Sequence, residues 1–189
     1  NNIDKLDTTS ALDMNHMFVT FGVPINTITP LLKATNVKDL SYMFYDARIR
    51  DTVTFSPQFN TSSVVTMESM FEGASTYPVD LSNFSFASVE NMSKMFKAIE
   101  ASSEGKECNN NGFGPSEVTW PATTQNTPAL TTLKSLFHGN CNITKIKPPK
   151  ITAPSLKDTS FAFSGLGEIT EIDLDGFDTS AVENMQAMF

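Results

Sequence analysis

Apolar residues recur at a fixed spacing along almost the whole chain. Aligned on a terminal Phe, seven segments repeat one pattern: TTSALDMNHMF ending at Phe18, ATNVKDLSYMF at Phe44, TSSVVTMESMF at Phe71, FASVENMSKMF at Phe96, TPALTTLKSLF at Phe137, APSLKDTSFAF at Phe163 and TSAVENMQAMF at Phe189. Successive Phe stand 26, 27, 25, 41, 26 and 26 residues apart. Within a unit the apolar positions fall at i, i+3, i+6 and i+7, as in Val89, Met92, Met95 and Phe96, which predicts the buried stripe of a short helix. Thr or Ser stands at the front, and Pro128 and Pro154 suit a first helical position. Gly73, Gly139 and Gly165, two residues past the Phe, are placed to close the helix in a left-handed conformation. Helices this short are marginal in water on their own, so stacking of neighbouring units must stabilise them.

Upstream of each predicted helix lies a short apolar–polar–apolar segment: Val53-Thr54-Phe55, Val79-Asp80-Leu81, Val118-Thr119-Trp120, Ile146-Lys147-Pro148 and Ile172-Asp173-Leu174, with a less regular one from Ile25 to Ile28. That alternation reads as a strand with one buried face. One short parallel strand and one short helix in about 26 residues predicts an α/β repeat, a leucine-rich-repeat-like solenoid of about seven units over residues 1–189. The longest interval holds about 15 extra residues, matching the Gly, Asn and Ser-rich stretch at about 102–116, which reads as a loop insertion.

The segments DLSNFSFASVENMSKMF and DLDGFDTSAVENMQAMF resemble the BspA-like repeat of bacterial surface proteins and lipoproteins, written W/F-D-T-S-x-V-x-x-M-x-x-M-F. The resemblance spans nearly the whole chain and loosens in the fifth and sixth units, where Leu133, Leu136, Thr159 and Ala162 replace Met. It implies an extracellular or cell-surface, bacterial location, and adhesion through a protein partner: a host or matrix protein, or another surface protein. It implies no catalytic residue and no cofactor.

Composition narrows the choices. With 13 basic and 21 acidic side chains the net charge is −8, which disfavours sequence-independent nucleic-acid binding. No apolar run approaches the roughly 18 residues of a membrane-spanning helix, and no signal-like segment precedes Asn1. His16 and His138 lie in different units, and no nucleophile elbow, zinc-protease or phosphate-loop motif is present, so no enzyme is predicted and no metal site either. All nine Met fall on the repeated stripe and read as core filling.

Two features remain for function. The outward strand positions Thr52, Thr54, Asp80, Glu117, Thr119, Lys145, Lys147, Glu171 and Asp173 should form one continuous polar sheet face, the predicted partner-binding surface. Cys108 and Cys141 follow consecutive units, and a disulfide between them would tie down the insertion and suit an exported protein; two free thiols are the alternative. A structural stalk or assembly subunit is the competing role. The chain stops on Phe189 without a polar capping segment, which predicts either a longer array or a terminal face covered by another chain, including self-assembly through the repeat ends.

Overall fold

The computed structural model describes residues 6–20, 29–49, 51–75, 78–98 and 114–189. Among them, the repeats stack as successive coils in parallel register. Parallel bridges run from Asp13 to Asp39, Thr66, Asn91, Thr132, Asp158 and Asn184, one residue per unit. Away from these bridges the described residues form six two-residue strands, β1 Val79–Asp80, β2 Val118–Thr119, β4 Lys145–Ile146 and β6 Glu171–Ile172 on one side of their coils and β3 Gln125–Asn126 and β5 Ile151–Thr152 on another. β1 pairs with β2, β3 with β5 and β4 with β6, all parallel.

The predicted helix in each unit does not form. Among the described residues helical structure is confined to one 3₁₀ turn, Thr29–Leu31, and the α/β solenoid with a helix per unit is thereby overturned. The segment that carries the stripe is a run of tight turns instead. In the third unit the N–H groups of Met67, Ser69, Phe71 and Gly73 donate to carbonyls of Asn91, Ser93, Met95 and Lys97 on the next coil, each at 2.9 Å. The alternate donors Met70, Glu72 and Ala74 fold back to Met67, Ser69 and Phe71 at 3.1–3.2 Å. An α-helix would send every N–H to the residue four back; here half of them bind the neighbouring coil.

The backbone device that forces this division is a left-handed residue two before each ladder Phe: His16, Tyr42, Ser69, Lys94, Ser135, Phe161 and Ala187, with φ between 46° and 59°. Such a conformation disfavours L-residues by roughly 1–2 kcal/mol each. Two bonds offset it. The N–H of the left-handed residue reaches the next coil, as in Tyr42 to Glu68 at 2.9 Å and Ser135 to Ser160 at 2.8 Å. The bridging residue three positions earlier turns its side-chain oxygen onto the intervening N–H: Asp13 on Asn15, Asp39 on Ser41, Thr66 on Glu68, Asn91 on Ser93, Thr132 on Lys134, Asp158 on Ser160 and Asn184 on Gln186, at 2.7–3.2 Å. Asp, Asn and Thr suit this role because their short side chains bind backbone N–H groups two residues on. Gly73, Gly139 and Gly165 are left-handed as their position requires (φ 67–71°), but they close a turn rather than a helix.

The seven ladder Phe rings stack face to face, six of them buried and Phe189 exposed at the end of the stack. Ring centroids lie 5.3 Å apart from Phe18 to Phe44, then 5.1, 5.5, 5.2, 6.2 and 5.8 Å on to Phe189, with planes within 21° of parallel. Around them pack the Met and Leu of the stripe, closed on the strand side by Phe55, Phe59, Phe84 and Phe86. Most Met are in this core, whereas Met185 is exposed and Met17 only partly covered. Thr159, an outlier in an apolar column, is buried and its hydroxyl donates to the Asn184 carbonyl at 3.4 Å.

Candidate interaction cleft

Among the described residues the predicted continuous sheet face is broken between β2 and β4. β2 pairs with β1 and β4 pairs with β6, but β2 and β4 do not pair with each other. The local cause lies in the sequence. Val118 and Leu130 are 12 positions apart, whereas Val79–Val89, Ile146–Leu156 and Ile172–Val182 are each 10 apart, so the fifth unit carries two additional residues after its strand, beside Pro121. The following rung is restored only at β3, where the Gln125 N–H donates to the Lys150 carbonyl at 2.8 Å.

Between the two coils this leaves a cleft of about 670 Å³. Its near wall is Ser116 to Ala122 and its far wall Ile143 to Pro148 with Lys150, Glu171 and Asp173. The floor is apolar: Val118, Trp120, Phe137 and Ile146. Trp120 stands edge-on to Phe86, Phe96 and Phe137, with centroids 5.8, 5.9 and 6.5 Å away. Its indole nitrogen is buried without a hydrogen-bond partner among the described residues, at an expense of roughly 1–3 kcal/mol.

Asn140 holds the cleft's other end. Fully buried, it donates from Nδ2 to the Pro115 carbonyl at 3.1 Å and accepts on Oδ1 from the Asn142 and Ile143 N–H groups at 3.0 and 3.2 Å. Asn142 adds a bond from its Nδ2 to the Gly114 carbonyl at 3.2 Å. Gly114 has φ +92°, and a Cβ there would lie 2.6 Å from Asn140 Cγ, so only glycine allows this brace.

Of the nine residues predicted for the binding face, Glu117, Thr119, Lys145, Lys147, Glu171 and Asp173 line this cleft. Thr52, Thr54 and Asp80 lie on earlier coils and take no part in it. Across the far wall Lys145 Nζ meets Glu171 at 2.9 Å and Lys147 Nζ meets Asp173 at 2.7 Å, while Lys150 turns to Asp175 at 2.6 Å. The Lys147 hydrogen bond holds the Asp173 carboxyl below its ordinary pKa, aided by the Asp175 N–H, and the same bond and charge raise Lys147. These pairs face solvent and add little stability; their effect is to neutralise the lysines. Glu117, on the near wall, has no ion-pair partner among the described residues.

Other sequence candidates fall elsewhere. Cys108 lies outside the described residues, as do residues 102–113 of the insertion; Cys141 is disulfide-bonded. The predicted strand from Ile25 to Ile28 also lies outside the described residues. Val53 forms a single bridge to Val79, where a longer strand was expected. Stacking brings His138 Nδ1 within 2.7 Å of Ser164 Oγ, a pairing invisible in the sequence because 26 residues intervene. Ser164 is buried, so this contact ties two coils together and offers no reachable nucleophile. Among the described residues no group of three or more His, Cys, Asp or Glu side chains could hold a metal ion, and no helix is long and apolar enough to cross a membrane.

The cleft and its brace escaped sequence reading; the 12-against-10 spacing in the fifth unit was a signal for the break in the ladder, whereas nothing in the sequence pairs Asn140 with Pro115. The column of Asp, Thr and Asn immediately before each stripe residue was likewise a readable signal for the turns.

No curated protein and no solved structure matches the chain. A family model described as "Mycoplasma protein of unknown function, DUF285" matches three times, over residues 1–52, 31–111 and 109–189. The overlapping matches follow the internal repetition and together span the chain, which therefore belongs to the DUF285 family.

Proposed function

We propose that the chain is an extracellular interaction module on a bacterial cell surface, adhering to a host, matrix or surface protein through the cleft between its fifth and sixth coils. The observation that carries this reading is the cleft itself: an apolar floor around Trp120, rimmed by charged and hydroxyl side chains, in a volume typical of ligand clefts. The resemblance of DLSNFSFASVENMSKMF to BspA-like surface repeats supports the surface role, and the disulfide at Cys141 suits an oxidising exterior.

The test is adhesion of the purified chain to immobilised host-cell and matrix proteins. Reversing charge in the cleft (Glu117→Lys with Lys145→Glu and Lys147→Glu) should abolish adhesion, while Lys157→Glu, which breaks an exposed pair with Glu183 at 2.6 Å away from the cleft, should leave it intact. Equal adhesion by both variants would refute the reading. Loss of concentration-dependent light scattering with adhesion unchanged would favour a structural stalk or assembly subunit instead.

A further inference from the structure

The cleft is the missing rung of a hydrogen-bond ladder. In the regular coils a strand residue donates and accepts toward the coil that follows: Val53 N–H to the Pro78 carbonyl and Asp80 N–H to the Val53 carbonyl, both at 2.9 Å, then Val79 N–H to the Glu117 carbonyl at 2.9 Å. Val118 is next in that series. The pairing of β1 with β2 uses the groups on either side of it, and no main-chain hydrogen bond engages its own N–H or C=O among the described residues. Across the cleft, β4 spends Ile146 on β6, with the Asp173 N–H bound to the Ile146 carbonyl at 2.8 Å, so the Lys147 N–H on the cleft side is likewise unmatched. Two strand edges thus face each other, open, over an apolar floor.

We infer that this cleft captures its partner by strand addition, taking an extended polypeptide segment with a Lys or Arg that faces Glu117 and aliphatic, β-branched side chains that face Trp120. This rests on the cleft being the adhesive site proposed above. Main-chain hydrogen bonds to an unpaired edge supply affinity in this mode, and alternating side chains supply specificity. The near wall runs seven residues from Ser116 to Ala122, about 20 Å of extended chain, which suits a segment of about six residues. Charge selects the occupant: the far-wall lysines already have carboxylate partners, whereas Glu117 has none, so a cationic side chain is matched and an anionic one repelled.

Three pools of acetylated, amidated hexapeptides test this, each alternating Val, Ile and Thr with variable positions, free of Trp and Tyr, and fixed as Lys, Glu or Ala at the third position. Trp120, the chain's single tryptophan, reports occupancy through its fluorescence. The Lys pool should bind at least tenfold tighter than the Glu pool, Glu117→Lys should invert that order, and N-methylation of alternate peptide amides should abolish binding. In the free chain the Val118 amide should exchange with deuterium far faster than that of Val79. Equal affinity for all three pools, retained binding of N-methylated peptides, no change in Trp120 emission with any pool, or a protected Val118 amide would each overturn strand addition. If adhesion still depends on the cleft charges in that event, the interaction reading survives and only its mode falls.

Discussion

The Phe stack makes a quantitative claim about where stability resides. Phe96 is fully buried, lies face to face with Phe71 at 5.5 Å and Phe137 at 5.2 Å, and is touched edge-on by Trp120. Truncating a buried Phe to Ala removes about 3–5 kcal/mol. Three ring contacts, each worth roughly 0.5–1.5 kcal/mol beyond buried area, place Phe96→Ala at about 4–5 kcal/mol. Phe189 is 67 % exposed and, among the described residues, stacks on Phe163 alone, so Phe189→Ala should cost about 1–2 kcal/mol. With a urea slope of about 2–3 kcal/mol/M, the Phe96 variant should unfold about 1.3–2.5 M earlier than the parent and the Phe189 variant about 0.3–1 M earlier. Urea unfolding followed by far-UV circular dichroism and Trp120 fluorescence reads both shifts. In Phe96→Ala the fluorescence transition should also precede the dichroism transition, because coils on either side of the gap lose their shared layer. Midpoints within 0.5 M of each other for the two variants, on about the same slope, would refute the stack as the source of coil-to-coil stability.

Three further outcomes follow from the same geometry. Asn140→Ala leaves two backbone donors and the Pro115 carbonyl unsatisfied, so it should lower stability by about 2–4 kcal/mol in thermal unfolding, more than Asn142→Ala, which loses a half-buried side chain. At the left-handed Lys94 (φ 57°), Lys94→Ile should be less stable than Lys94→Gly by about 1–2 kcal/mol in urea; equal midpoints would show that the turn has relaxed. Asp178 accepts from the Ser180 N–H at 3.0 Å and, across the coils, from the Ala153 N–H at 3.3 Å; the bonds to Ser180 and then Ala153 lower its pKa. A carboxyl depressed on folding stabilises the chain above the ordinary aspartate range and loses that contribution as pH falls below about 4 through the lowered value. Unfolding midpoints measured from pH 6 to pH 2 should therefore fall less steeply for Asp178→Asn than for the parent, and identical slopes would exclude this contribution.

The repeat, its boundaries and its stacking direction were legible because each unit restates the same apolar positions, and the bridges from Asp13 to Asn184 keep the same spacing as the Phe. The helix was misread for a specific reason. Tight turns and α-helices both bring residues i and i+3 together, so Val64, Met67 and Met70 satisfy either. A helical stripe alternates steps of three and four, and the strict threes here belong to turns. Residues such as Tyr42, Lys94 and Phe161 concealed the left-handed positions, since only Gly or Asn would have announced them. At the candidate site, the outward residues from Glu117 to Asp173 were legible from strand alternation. The break between β2 and β4 was not, because it depends on a two-residue difference in connection length and on Asn140 meeting Pro115 across 25 positions.

The alternation of hydrogen bonds between turn and neighbour also fixes how the molecule bears load. Every bond that joins one coil to the next runs along the stacking axis, as from Phe71 to Met95 and from Phe163 to Met188. Tension applied along that axis is carried in series by every layer, so the least tightly held coil should part first while the others stay stacked. Each 26-residue coil released adds up to about 90 Å of contour length, many times the thickness of the layer it leaves. A chain built this way lengthens in instalments under drag, and coils that have not yet peeled keep the face they display.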